Sequence, residues 1–114
     1  MKIMFVAFRG EPLCFIHVLL NALDMHRRGL EGKIILEGES TRLVALMTQP
    51  DHFLHALYCQ AREAGLVLGA CHACATKLGA VAAVEQEGIP LIGPMAGHPA
   101  LADYLEQGYT VLNF

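Results

Sequence analysis

Residues Leu66–Gly79 read LVLGACHACATKLG. A short apolar run, Leu66-Val67-Leu68, stops at Gly69, and Cys71 and Cys74 follow with His72 between them and Lys77 beyond. The run has the character of a buried strand, and Ala73–Leu78 that of the first turns of a helix. A C-x-x-C at a strand-to-helix junction sets its thiols where backbone N–H groups and the positive end of a helix dipole converge. That setting favours thiolate, as does a nearby lysine such as Lys77, so Cys71 is expected to be the more acidic and nucleophilic sulfur.

The rest of the chain repeats the same alternation. Ile3–Phe8 is a near-continuous apolar run, broken by Gly10-Glu11-Pro12. Leu13, Ile16, Leu20 and Leu23 then recur at helical spacing, with Arg27-Arg28-Gly29 as a stop. Lys33–Leu36 reads as a second strand, ended by Glu37-Gly38-Glu39. Ser40 or Thr41 can cap a short helix through Met47, and Asp51 a longer one over His52–Ala64, with Phe53, Leu57 and Ala61 on one face. After the Leu66–Leu68 strand, a helical stretch runs from Cys74 towards Gln86, broken near Gly79. Ile89–Ile92, a helix from His98-Pro99 to Gln107, and Tyr109–Phe114 close the series. Strand–helix alternation predicts an α/β sandwich with a mostly parallel sheet of about five strands, in one domain over 1–114.

The 114 residues are 54% hydrophobic and carry a formal net charge of -3. Disorder, nucleic-acid binding and attraction to an anionic membrane are therefore not expected. The apolar run at the N-terminus is too short for a signal peptide, and none approaches the roughly 18 residues of a membrane helix. A cytoplasmic setting follows, in which four cysteines are thiols, metal ligands or redox groups.

In parallel sheets, ligands bind beyond the carboxyl ends of the strands. The residues just past the successive strands are Arg9, Glu11 and Cys14; Glu37 and Glu39; Cys71, His72 and Cys74; and Met95 and His98. Two buried cysteines acting as small hydrophobes are the plain alternative for the C-x-x-C. Zinc needs two more ligands, which Cys14 and His17 could supply only if the fold brings them close. A thioredoxin-like motif lacks its preceding Trp and internal Pro. Glu37 and Glu39 read most simply as a solvated turn, and His98 as a helix-start residue with a possible place beside the sulfur. His17, His26, His52 and His55 read as surface or interface residues, and Cys59 has no evident partner. No phosphate-binding glycine loop is present, and the sequence assigns no cofactor and no metal.

The order of these features resembles the DsrE/DsrF-like family of sulfur-relay and related cytoplasmic proteins. The features are the opening strand and helix, a Cys after the third strand with a Gly eight positions on (Cys71 and Gly79), and the ending Thr110-Val111-Leu112-Asn113-Phe114. The resemblance implies a three-layer α/β/α sandwich, a homotrimer or homohexamer, and sulfane sulfur carried as a persulfide on Cys71. Cys74 is not part of the carriers' general pattern; its place one turn beyond Cys71 would make it a resolving thiol, and the residues around the strand ends, His72, Lys77, Arg9, Cys14, Glu37 and His98, are expected in support. Donor and acceptor proteins are not specified by it. The alternatives are a small-ligand or metal-binding module with the cysteines as ligands, and an oligomeric scaffold without sulfur chemistry.

Overall fold

A computed structural model describes residues 1–114. Five strands form one sheet: β1 (Lys2–Ala7), β2 (Glu31–Leu36), β3 (Val67–Cys71), β4 (Leu91–Ile92) and β5 (Thr110–Asn113). Their spatial order is β4-β3-β2-β1-β5, and every neighbouring pair is parallel. Six helices connect them: α1 (Pro12–Arg27), α2 (Leu43–Met47), α3 (His55–Glu63), α4 (His72–Lys77), α5 (Val81–Gln86) and α6 (Leu101–Glu106). No helix is long and apolar enough to cross a membrane.

Side chains alternate across the sheet because strand periodicity is two. Phe5, Ala7, Ile34, Leu36 and Ala70 join the main core, with Phe15, Val18 and Leu19 of α1, Val44 of α2 and Tyr58 of α3. Ala75 of α4 and Val84 of α5 extend that core. Met4, Val6, Ile35 and Tyr109 face the other way, where Leu101 and Tyr104 of α6 cover them. The expected three-layer sandwich is therefore present, with unequal layers: five helices on one face and α6 on the other. Each fully buried Leu, Ile or Val contributes about 1.5–3 kcal/mol, so the main core dominates stability.

Several boundaries differ from the sequence reading, each for a physical reason. Gly69 does not end β3. It is the residue that lets β4 approach, since a Cβ there would lie 2.3 Å from Ile92 Cδ1 and 2.9 Å from the Pro90 carbonyl oxygen. The strand continues through Ala70 and Cys71, which pair with Leu91 and Ile92. Ser40 does not cap a helix; its hydroxyl donates to the carbonyls of Ala7 (2.6 Å) and Glu37 (2.8 Å) inside a 3₁₀ turn, Gly38–Arg42. Asp51 is exposed and α3 starts at His55, with Leu54, Tyr58 and Ala61 buried and Phe53 57% exposed. The last helix starts at Leu101 rather than at His98. The break near Gly79 is as expected, with its φ of +72° in the left-handed region.

Candidate functional site

The connection after β3 enters α4 on the main-core face, whereas the connection after β4 leads to α6 on the opposite face. A crevice opens where adjacent strands send their connections to opposite faces, and ligands favour that crevice. Cys71 ends β3 at this point, and His98 lies in the loop after β4.

Cys71 is the N-cap of α4, as the motif suggested, and its sulfur accepts the Cys74 backbone N–H at 3.4 Å. The helical spacing brings Cys74 round to the same face. His98 Nδ1 lies 3.1 Å from Cys71 Sγ and 4.0 Å from Cys74 Sγ. Glu37, just past the end of β2, completes the group: one donor atom from each of Glu37, Cys71, Cys74 and His98 lies within 4.8 Å of every other.

The loop after β4 is built to place His98. Met95 and His98 exchange both backbone hydrogen bonds, at 3.0 and 2.9 Å, across a two-residue turn. Ala96 (φ +51°) and Gly97 (φ +91°) are both left-handed, as a type I′ turn demands. The Ala73 N–H donates to the Gly97 carbonyl at 2.8 Å, which ties the turn to the start of α4. A side chain at Gly97 would crowd Ala73, with Cβ atoms 3.0 Å apart.

Burial sets the electrostatics. Cys71 is fully buried, Glu37 is 7% exposed, and Cys74 and His98 are half-buried. Loss of solvent pushes the Cys71 thiol up to about 11; the Cys74 N–H opposes this, and the Cys74 thiol and Glu37 add to it. The lowered Cys71 thiol expected from the helix start is therefore not what this setting gives, because desolvation outweighs one N–H contact. Burial also raises the Glu37 carboxyl, against the lowering charge of His98. Glu37 is therefore not a solvated turn residue; Glu39 alone is exposed. His98 is not a helix-start residue but a loop residue facing sulfur.

The other expected site residues lie elsewhere. His72 and Lys77 are exposed on α4, outside the cluster. Arg9, Cys14 and His17 line a separate crevice of about 340 Å³ with Asn113 and Phe114. Cys14 and His17 therefore do not complete the C-x-x-C; His98 and Glu37 do. Cys59 has a partner after all, since its sulfur lies 3.5 Å from His55 Nε2, one helical turn away.

Two sulfurs, an imidazole nitrogen and a carboxylate oxygen suit a borderline or soft d-block cation, not Mg²⁺ or Ca²⁺. With metal–sulfur bonds of about 2.3 Å and metal–nitrogen or –oxygen bonds of about 2.0–2.1 Å, tetrahedral donors sit roughly 3.3–3.8 Å apart. Donors at the 4.8 Å limit need to draw in by roughly 1–1.5 Å to reach that geometry, whereas Cys71 Sγ and His98 Nδ1, 3.1 Å apart, need to part slightly.

No protein-family model matches the chain. It is 28% identical over 118 residues to the uncharacterized protein MJ0733 of Methanocaldococcus jannaschii, covering 98% of this chain and 94% of that one. Its fold is similar to that of a conserved protein of unknown function, BT1422 of Bacteroides thetaiotaomicron. The TM-score is 0.74 and the identity 22%, over 99% of this chain and 95% of the other.

Proposed function

We propose that the protein is a binding module for a transition-metal cation, Zn²⁺ being the simplest, held by Cys71, Cys74, His98 and Glu37. The observation that carries this is the convergence of four donors, two buried and two half-buried, from three separate connections. Burying a carboxylate beside two thiols is unfavourable without a cation, and a bound divalent ion offsets that cost. When bound, the cation holds both sulfurs as thiolates. Metal analysis of protein purified without added metal, followed by competition with a chromophoric chelator, tests the reading. One equivalent per chain, lost in Cys71→Ser, is expected; absence of tight binding by the reduced protein overturns it.

A second reading has its own observation in the 3.1 Å contact between Cys71 Sγ and His98 Nδ1. An imidazole beside a thiol can take its proton and prepare it to attack the outer sulfur of a persulfide donor. This is the sulfur-carrier role that the DsrE/DsrF resemblance implies, and membership of that family belongs to the same reading. Support comes from the three-layer parallel sheet and from a cysteine at the end of β3. Intact mass after exposure to a sulfane-sulfur donor tests it: the metal-free protein gains sulfur on this reading, and a protein that gains none refutes it. The homotrimer or homohexamer is proposed with it, supported by exposed Leu13, Leu112 and Phe114. Light scattering that reports a monomer at micromolar concentration rejects the assembly.

A further inference from the structure

The two sulfurs of the cluster differ in access. Cys71 is fully buried beneath the His98 loop, and Cys74 is half-buried at the rim. They stand three residues apart around one helical turn, which sets their Cα atoms roughly 5 Å apart. A disulfide tolerates Cα separations of about 4.4–6.8 Å. The Cys74 N–H already holds the Cys71 sulfur against this turn.

We propose that the pair performs thiol–disulfide exchange with small disulfides in a set order: Cys74 attacks first, and Cys71 resolves. This order is opposite to the one the sequence suggested. In the first step the Cys74 sulfur attacks one sulfur of a disulfide RS–SR. A Cys74–SR bond forms, the RS–SR bond breaks, and the leaving thiolate takes the Cys74 proton as RSH. In the second step the Cys71 sulfur attacks the Cys74 sulfur. The Cys71 proton passes to His98 Nδ1, 3.1 Å away, and on to the second leaving thiolate. One Cys71–Cys74 disulfide forms, and one RS–SR is reduced to two RSH, so two electrons move from protein to small molecule. The His98 loop shields Cys71 from the bulky disulfide and leaves Cys74 as the only member of the pair in reach.

Exchange uses two residues of the cation site but does not require a cation, so it is tested on reduced, chelator-treated full chain. Cys14 and Cys59, the two other free thiols, are replaced by Ser as background. Glutathione disulfide is the probe, and intact mass is the readout. The background protein is expected to form an internal disulfide and to retain no adduct. Cys71→Ser should hold one glutathione on Cys74. Cys74→Ser should react at least about 10-fold more slowly, because Cys71 is reached only in locally opened molecules. A Cys74→Ser protein that takes the adduct as fast as Cys71→Ser overturns the order. A background protein that keeps the adduct and closes no internal bond overturns the exchange. Timed alkylation of the native parent, mapped by peptide, needs no variant: Cys74 labelled before Cys71 supports the order, and the reverse rejects it. Metal binding without exchange defeats this inference alone, and exchange without metal binding defeats the cation reading alone.

Discussion

Cys71 Sγ and His98 Nδ1 lie 3.1 Å apart, although 27 positions of chain separate them. Each is delivered by a different β-strand end, and a left-handed turn holds the histidine in place. Both residues are donors in the proposed centre. His98→Ala should therefore weaken Zn²⁺ binding by at least about 100-fold, above the roughly 10–100-fold cost of losing an outer-shell partner. Chelator competition measures this, and an unchanged affinity removes His98 from the site.

Glu37→Gln separates binding from stability. Burial raises the Glu37 carboxyl, so the charged form costs the native state more than the unfolded one. The stability this group contributes is fully present below its unfolded pKa and lost as pH rises through the raised value. At neutral pH the metal-free Glu37→Gln protein should thus have a higher thermal midpoint than the parent, with weaker cation binding. A lower midpoint, by calorimetry, contradicts the assignment of Glu37 as a strained buried acid.

The Cys71 thiol is raised from 9.0 to about 11. The unfolded chain then gives up this proton first, and stability falls as pH rises. The contribution is intact below about pH 9 and is lost towards 11. Tyr58, Tyr104 and Tyr109 add losses of their own as pH nears about 10, but these are common to the parent and to Cys71→Ala. Between about pH 9 and 10 the urea midpoint of metal-free parent should fall more steeply than that of Cys71→Ala. Parallel slopes would show that Cys71 is solvated.

Ala96 holds φ +51° at the first central position of the His98 turn. A left-handed conformation costs an L-residue about 1–2 kcal/mol, whereas glycine adds about 0.5–1 kcal/mol of chain entropy. Ala96→Gly should therefore stabilise by about 0.5–1 kcal/mol, with cation affinity kept. Ala96→Val should destabilise and loosen His98, weakening binding. Chemical denaturation of the two variants decides, and the opposite ranking would mean the turn is relaxed.

Gly69→Ala tests the approach of β4 to β3. Its Cβ would meet Ile92 Cδ1 at 2.3 Å and the Pro90 carbonyl at 2.9 Å. The side chain can rotate away, but the carbonyl cannot. A loss of about 1–3 kcal/mol is expected from overpacking, together with weaker cation binding as His98 moves off Cys71. Full stability with full binding would show that the β4 edge is free to yield.

The alternation of apolar runs and helical spacings is enough to give the three-layer parallel fold, because those patterns are local and each element carries its own period. It also places Cys71 at a helix start, and it puts Glu37 and His98 just past strand ends, at the edge where ligands bind. Their roles are another matter. Glu37 has the composition of a solvated turn, but its N–H donates to the Ala7 carbonyl and its carbonyl accepts from the Ser40 hydroxyl, contacts across the sheet edge that sequence does not display. His98 precedes a proline, as helix-start residues often do, but the Met95–His98 turn withholds it from α6 and aims it at sulfur. Cys14 and His17 are, in sequence, able to complete the sulfur pair; the strand order prevents it by putting β2 between β1 and β3. The lowered thiol expected of Cys71 is raised instead, also by long-range packing. A helix start is read from neighbours in sequence, whereas desolvation comes from the loop that folds over it. Sequence by itself determined the elements and the edge of the sheet where chemistry gathers. Which donors meet there, and which sulfur solvent can reach, was decided by long-range packing, because burial depends on what distant segments cover.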